Sequence, residues 1–255
     1  MAELHCLNVG CADASILKTT SETFLIDCYG IDEHKALLPS DKNITGLFVT
    51  HQHSDHYGGM KFLRDNGYNI GYLIHSPYER RYGDASVTLD EWNEFNDHAK
   101  YFEGKGTKVY KPYRQDSFEK PWWDRSGLKF WMIGPNRSIA TSDTRELHDA
   151  CLVLTVQSEK RKCAFTGDAS DTNLNWVASN TKHFCGDILH ASHHASLNGA
   201  DLDFIKKADP KYSVISTKSG VYESVPHPTA LKRYADNTKE KVYRTDVDGT
   251  LRFNF

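Results

Sequence analysis

The sequence predicts an α/β protein that contains two β-sheets, and three patterns carry this prediction. Short strand patterns follow one another closely within residues 4–28, which indicates an antiparallel start. Strand, helix and strand patterns alternate over residues 47–75, which is typical of a partly parallel sheet. Apolar residues then alternate along 152–156 between two further strand patterns, and these indicate a second sheet. We expect residues 1–255 to form one domain, because this length suffices for a full core.

The composition is that of an ordinary soluble protein, with 39% hydrophobic and 25% charged residues. The first twenty residues lack a basic segment followed by a long apolar stretch, and no window approaches the ~18 apolar residues of a membrane helix. Six cysteines are scattered without a C-x-x-C spacing, which favours free thiols in a reducing compartment. We therefore expect a stand-alone cytoplasmic protein. The net charge of −3 does not indicate a nucleic-acid partner, although two bound divalent cations would add about four positive charges.

The N-terminal strand patterns lead to a buried carboxylate. Strands are predicted at residues 4–9, 14–18 and 23–28. Asp27 follows an apolar run and precedes Gly30, so its side chain lies at the end of a strand. Such a residue either starts a turn or contributes to a site.

The most informative segment is residues 47–59, LFVTHQHSDHYGG. Its apolar start reads as a buried strand, so the polar residues that follow lie in a loop at the strand's carboxyl end. This loop places His51, His53, Asp55 and His56 within six residues. Imidazole and carboxylate are ligands for zinc, manganese or iron, and the alternation lets two residues face one ion and two face another.

Residues 76–127 are the least regular part and are predicted to form a substrate-facing insertion. Apolar residues at helical spacing predict an amphipathic helix over 88–102, which Gly104 ends. Basic and aromatic residues surround it, and such a set either tracks a phosphate backbone and stacks bases or forms a solvated loop. These residues are Tyr78, Arg80, Arg81, Tyr82, Lys105, Lys108, Lys111, Tyr113, Arg114, Trp122 and Trp123.

The C-terminal half repeats the arrangement of a strand followed by a metal-type residue. Strands are predicted at 128–134, 151–157 and 162–165, with later ones near 188 and 212, and helices lie between them. Strand ends of one polarity meet at one edge of a two-sheet domain, so we expect these polar residues to converge. The polar residues are His148, Asp168, His193, His194 and His227.

The order of these residues resembles the metallo-β-lactamase superfamily, in which H-x-H-x-D-H is followed by a His, an Asp and a His on later strand ends. The resemblance covers the whole chain and is closest to the metallohydrolase domain of the ComEC DNA-uptake proteins. Ala12 and Ala195 stand where those chains have Gly, and His148 stands where they usually have Asn. The segments that carry the resemblance are LNVGCADASIL, TFLIDCYG, AFTGDAS, SHHAS, VPHP and YRTDVDGTLRF.

The resemblance implies an αββα four-layer sandwich of two mixed β-sheets flanked by helices, with a binuclear site for Zn²⁺ or Mn²⁺. Asp168 is expected to bridge the ions, and Asp27 to orient a ligand histidine from behind. Asp55 is expected to act in catalysis as well as in metal binding. His194 or His227 is expected to protonate the leaving group or hold the phosphate. One ion is expected on His51, His53 and His148, and the other on Asp55, His56 and His193.

For function, the resemblance implies a phosphodiesterase or nuclease in which a metal-bridging hydroxide attacks phosphorus. The partner is then a phosphodiester, such as DNA or RNA. A hydrolase of a lactone, thioester or β-lactam is the alternative, because the same hydroxide attacks carbonyl groups. A degenerate regulatory metal-binding protein is a third interpretation, and the filled metal-motif positions disfavour it.

Overall fold

Fourteen strands form two seven-stranded sheets in the computed structural model, which describes residues 2–255. The strands are β1 (Glu3–Cys6), β2 (Ala14–Lys18), β3 (Thr23–Cys28), β4 (Asn43–Val49), β5 (Asn69–His75), β6 (Lys108–Tyr110), β7 (Trp123–Arg125), β8 (Leu128–Gly134), β9 (Val153–Gln157), β10 (Lys162–Phe165), β11 (Ile188–His190), β12 (Tyr212–Ile215), β13 (Lys241–Arg244) and β14 (Leu251–Asn254). The first sheet has the order β14-β1-β2-β3-β4-β5-β6, and the second has β13-β12-β11-β10-β9-β8-β7.

Helices cover both outer faces of the sheet pair. They are α1 (Ser54–Tyr57), α2 (Met60–Asp65), α3 (Leu89–Gly104), α4 (Arg137–Ala140), α5 (Asp171–Asn180), α6 (Leu202–Ala208), α7 (Pro228–Asn237) and α8 (Thr245–Asp248). Single 3₁₀ turns lie at Lys35–Leu37, Leu147–Ala150 and Ser192–Ala195. Within residues 2–255, no helix combines the length and apolar character needed to cross a bilayer.

Three large apolar clusters separate four layers. Phe24, Phe48 and Phe130 belong to the cluster between the two sheets. A second cluster joins the first sheet to α2 and α3, and a third joins the second sheet to α5, α6 and α7. The predicted αββα four-layer sandwich is therefore confirmed.

The parallel part of each sheet positions the loops of interest. The predicted antiparallel start is confirmed, since β1 pairs with β2 and β2 with β3 in antiparallel register. From β3 to β6 the neighbours are parallel, as they are from β10 to β13. Carboxyl ends of parallel strands share one edge of their sheet, so the loops after β10 and β11 emerge together from the second sheet. The loop after β4 of the first sheet meets them, since His51 Nε2 lies 3.9 Å from Asp168 Oδ2.

The segment 76–127 is more regular than its sequence suggests. The predicted helix is present as α3, and the Thr88 hydroxyl accepts a hydrogen bond from the backbone N–H of Glu91 at its start. β6 forms an edge of the first sheet, and β7 forms an edge of the second. By contrast, the connection between β3 and β4 contains only a single 3₁₀ turn at Lys35–Leu37.

Candidate metal centre

The site lies where turns from both sheets meet. The loop after β4 brings the first histidines, and the turn after β10 brings Asp168. Gly167 allows close contact of these turns, because a Cβ there would lie 2.5 Å from Thr50 Cβ. Gly167 also has φ +46°, in the left-handed region that favours glycine. The sequence T-G-D thus seats the carboxylate of one sheet against the loop of the other.

A first cluster consists of three imidazoles. His51 Nε2 lies 3.0 Å from His53 Nδ1, and His148 Nε2 lies 3.3 Å from the same atom. His53 Nε2 donates to the Ser86 carbonyl oxygen at 2.8 Å, so in the neutral ring Nδ1 keeps its lone pair. Three ring nitrogens therefore face one another in an arrangement that fits a cation.

A second cluster contains Asp55, His56 and His194. His194 Nε2 lies 3.4 Å from Asp55 Oδ2, and His56 Nε2 lies 4.0 Å from Asp55 Oδ1. The outer nitrogens are engaged elsewhere: His56 Nδ1 donates to Asp27 Oδ2 at 2.8 Å, and His194 Nδ1 donates to the Ser216 carbonyl at 2.9 Å. Both rings thus direct Nε2 inward.

Asp168 lies between the two clusters and gives one oxygen to each. Its Oδ1 is 3.3 Å from His56 Nε2 and 3.7 Å from His194 Nε2. Its Oδ2 is 3.9 Å from His51 Nε2 and 3.7 Å from His193 Nε2. A carboxylate in this position can bridge two cations.

Several of these inward atoms are buried without a hydrogen-bond partner among the described residues. They include His56 Nε2, His194 Nε2 and Asp168 Oδ1. Buried polar atoms in folded proteins are nearly always bonded, so atoms that are not indicate a missing ligand. Imidazole nitrogens and carboxylate oxygens that converge within 4.8 Å of one another fit a divalent cation.

The electrostatics of the cluster also favour a cation. Burial lowers the pKa of His148 to about 3. Burial acts the same way on His194, but Asp168 and Asp55 outweigh it and raise the pKa of His194 to about 10. Burial raises the pKa of Asp168, yet His194 and His56 outweigh it and hold that pKa well below its usual value. Burial likewise lowers the pKa of His56, but Asp168 and Asp27 outweigh it and hold that pKa well above its usual value. A divalent cation bound here would take the place of the protons on His56 and His194.

Two buried carboxylates lie behind the second cluster. Asp27 accepts hydrogen bonds from the Thr50 N–H and hydroxyl, each at 2.7 Å, in addition to the one from His56. Asp13, which the sequence analysis did not select, is 4% exposed and lies 3.8 Å from His194 Nδ1. Its position directly before the strand of the LNVGCADASIL segment was the available signal.

His193 lies elsewhere than the predicted grouping puts it, and His227 lies at the start of α7. His193 packs against His148, with ring centroids 4.6 Å apart, rather than beside Asp55 and His56. His193 and His194 both have left-handed backbones, with φ +52° and +51°, and their imidazoles reach different sides of Asp168. His227 Nδ1 accepts from the Thr229 N–H at the start of α7. His227 is not among the residues that line the cleft, and its catalytic role stays a prediction.

The clusters open into a cleft of about 600 Å³. Besides the metal-type residues, Ser54, Glu91 and residues 222–225 line it. Among the described residues none of those that line it is Lys or Arg, while Glu91 and Glu223 are acidic. Positive charge in this cleft would therefore come from bound cations or protonated histidines.

Comparisons with known proteins agree with this arrangement. The model of the metallo-β-lactamase superfamily matches residues 12–219. The chain is similar in fold to the metallo-β-lactamase fold protein YhfI from Bacillus subtilis, with 12% identity and a TM-score of 0.59 over 99% of this chain and 100% of that one. It is also similar to CmlA, a diiron β-hydroxylase from Streptomyces venezuelae, with 14% identity and a TM-score of 0.60 over 99% of this chain and 54% of that one.

A diphosphatase of the PhnP family is a further similar structure, with 14% identity and a TM-score of 0.53 over 100% of this chain and 98% of that one. No curated protein matches the chain in sequence. The narrower resemblance to ComEC-type domains is not confirmed by these comparisons. The family match spans well over half of the sequence, and the two sheets and the histidine-aspartate clusters agree with it. The chain belongs to the metallo-β-lactamase superfamily.

Proposed function

We propose that this protein is a phosphodiesterase that uses two divalent cations, Zn²⁺ or Mn²⁺. The observation that carries the proposal is Asp168, whose two oxygens face two separate clusters of ligand atoms. Two cations held side by side suit the displacement of an oxygen at phosphorus, because they stabilise both the attacking and the leaving oxygen.

Each ion takes its own set of side chains in this proposal. The first ion is held by His51, His53 and His148, because the Nε2 atoms of His51 and His148 lie 3.0 Å and 3.3 Å from His53 Nδ1. His194, rather than His193, completes the second set with Asp55 and His56.

His193 then has a different role. Its side chain is 24% exposed and lines the cleft, whereas that of His194 is 4% exposed. We therefore assign to His193 the contact with a substrate oxygen and the proton for the leaving alkoxide.

The bound cations supply a water of lowered pKa and positive charge for the phosphate. The chain's own residues orient the ligands: Asp27 keeps the proton of His56 on Nδ1, and the Ser86 carbonyl keeps that of His53 on Nε2.

The phosphorus chemistry has support from outside the site. The ComEC-like segments favour a nuclease that acts on DNA or RNA, and the similar fold of a PhnP-family diphosphatase agrees with chemistry at phosphorus. A carbonyl hydrolase is the second candidate, because the cleft lining without Lys or Arg suits a substrate of low charge. The similarity to CmlA, named a β-hydroxylase, illustrates that the fold alone does not select a reaction.

The six free, buried cysteines support a reducing compartment, and we propose a cytoplasmic location on that basis.

The test is hydrolysis by protein reconstituted with Zn²⁺ or Mn²⁺. Bis-p-nitrophenyl phosphate, single-stranded DNA and RNA are assayed beside a lactone and a β-lactam, and bound metal is counted by mass spectrometry. We expect two ions per chain and phosphodiester hydrolysis that the double change Asp55→Ala/His56→Ala lowers by roughly 100-fold or more. The matched control, Asp32→Ala/His34→Ala, removes the same residue types outside the cleft. Turnover of the lactone or β-lactam alone contradicts the proposal.

A further inference from the structure

Positive charge is concentrated in one segment of the chain. Residues 105–137 contain eight lysines and arginines and three acidic residues, for a net charge of +5. The whole chain has a net charge of −3, so the remainder carries −8. The same segment contains three of the five tryptophans. A surface that combines cations with aromatic rings is suited to a polyanion with planar groups.

The fold gathers these residues around two adjoining hollows. One, of about 490 Å³, is lined by Lys111, Tyr113, Arg114 and Arg137 among others. The other, of about 280 Å³, is lined by Tyr72, Ile74, Tyr110, Trp122 and Trp123. Trp122 lines both hollows, so they form one continuous surface, which we call the Trp122 groove.

One cation of the groove lies against an aromatic ring. The Arg137 guanidinium is 4.2 Å from the Tyr113 ring centroid. An arginine held this way keeps N–H donors at its edge available for phosphate oxygens. Lys111 pairs with Glu79 at 2.7 Å, and this exposed pair is weak enough to exchange for a phosphate.

The groove begins on the edge of the sheet that carries the metal centre. Lys111 directly follows β6, and His51 follows β4 after one residue. β4, β5 and β6 are consecutive parallel strands, so these two carboxyl ends are about 10 Å apart across the sheet. The metal cleft itself has no Lys or Arg among its described lining residues, so the cations that a longer polyanion needs are those of the groove.

We infer that the Trp122 groove binds single-stranded nucleic acid and leads it to the metal centre, an inference that rests on the proposed phosphodiesterase function. Bases stack on Trp122 and Tyr110, and phosphates contact Lys111 and Arg137. A single strand is required because a duplex hides the faces of its bases. Stacking tolerates any sequence, so no base preference is expected.

The test is binding of labelled single strands of about 20 thymidines or uridines, linked by phosphorothioates that resist cleavage, to the metal-reconstituted protein. Fluorescence anisotropy is recorded over a range of salt concentrations. We expect Trp122→Ala to weaken binding about tenfold and Trp122→Phe to weaken it less. The exposed pair Lys111→Ala/Arg137→Ala is expected to reduce the salt slope by about 1 to 2. Lys61→Ala/Lys232→Ala, which removes two exposed cations elsewhere, is the matched control.

Hydrolysis of bis-p-nitrophenyl phosphate separates this inference from the proposed function, and we expect the groove variants to leave it unchanged. Strand binding equal to wild type in both groove variants overturns the groove, even where the small phosphodiester is hydrolysed. Groove-dependent binding without any phosphodiester hydrolysis retains the groove and overturns the proposed function. Duplex binding as tight as single-strand binding, and insensitive to Trp122, overturns the stacking role.

Discussion

His56 shows how a buried carboxylate orients a residue of the candidate metal centre. Asp27 Oδ2 accepts a hydrogen bond from His56 Nδ1 at 2.8 Å, and Thr50 donates two further hydrogen bonds to the same carboxylate. Burial raises the pKa of Asp27, and the neighbouring His56 partly opposes this rise. The position of His56 Nε2 therefore depends on a residue that is distant in sequence.

Asp27→Asn tests this dependence. An amide has one acceptor oxygen, whereas three donors face the Asp27 carboxylate, so one must lose its partner. We expect affinity for one of the two cations to fall about 10- to 100-fold. Competition with a chromophoric chelator measures it. Asp41→Asn, at an exposed carboxylate that accepts from the Asn43 N–H, is the control, and unchanged affinity in Asp27→Asn refutes the role.

Glu223 offers a test of the charge of the cleft. It is exposed at the rim and adds negative charge where an anionic substrate enters. We expect Glu223→Gln to lower KM for bis-p-nitrophenyl phosphate about two- to fivefold with kcat little changed, because one repulsion is removed. Steady-state kinetics at low and high salt measure the effect, which should shrink as salt rises. A KM that increases argues instead for a substrate contact by Glu223.

At the level of elements, the first turn of α3 is hydrogen-bonded to the segment that carries the metal-type residues. The Thr88 hydroxyl and the Glu91 carboxylate cap the helix reciprocally. The Glu91 carboxylate also accepts from the Ser54 N–H at 3.3 Å, and the Glu91 carbonyl accepts from the Tyr57 hydroxyl at 3.0 Å. The start of α3 and the helix α1, which carries Asp55 and His56, are thus held together.

Thr88→Ala removes the cap, and we expect it to lower the free energy of unfolding by about 1 kcal/mol. Chemical denaturation measures this loss. Thr88→Ser retains a hydroxyl and should keep most of the stability. If both variants lose the same amount, the lost methyl rather than the cap explains the change.

The turn after β11 is the most strained element of the site. His193, His194 and Ala195 have consecutive φ values of +52°, +51° and +62°. Left-handed backbone costs an L-residue about 1–2 kcal/mol. In return, the turn lets two adjacent imidazoles reach opposite sides of Asp168. This strain is the physical reason that the two histidines do not share one cluster.

At the level of the whole molecule, a buried histidine away from the metal centre makes stability depend on pH. His75 is 3% exposed, packs edge-on against Phe95 and donates to the Ser76 carbonyl at 2.8 Å. Burial lowers the pKa of His75 to about 4, and the charge of Lys111 adds to this. The folded pKa lies below the unfolded one, so the unfolded state takes up the proton first as pH falls. The contribution of neutral His75 to the free energy of unfolding is therefore complete above about pH 6.5 and is lost as pH falls toward 4.

We expect His75 to lower the free energy of unfolding by about 2 kcal/mol as pH falls from 7 to 5. His75→Gln keeps a hydrogen-bond donor and removes the titration. Denaturation at both pH values measures the difference, and the loss should be about 2 kcal/mol smaller in the variant. Equal losses in both proteins exclude His75 as the cause.

The local sequence pattern determined much of the secondary structure of this protein and one part of its candidate site. Hydrophobic periodicity located most of the strands, but not the edge strands β6 and β7, and Thr88 marked the start of α3, because these features depend on neighbours a few residues apart. The spacing of His51, His53, Asp55 and His56 indicated a metal centre for the same reason, since one segment of six residues carries all four.

Only the tertiary structure decided how distant residues combine. Asp13 and His194 lie 3.8 Å apart although 181 positions separate them, and no local pattern connects them. The strained turn decided which of His193 and His194 lies beside Asp55. The pairing of β6 with β5 in one sheet and of β7 with β8 in the other gathered scattered basic and aromatic residues into the Trp122 groove. Each outcome depends on strand pairing and close packing between the sheets, which periodicity along the chain does not encode.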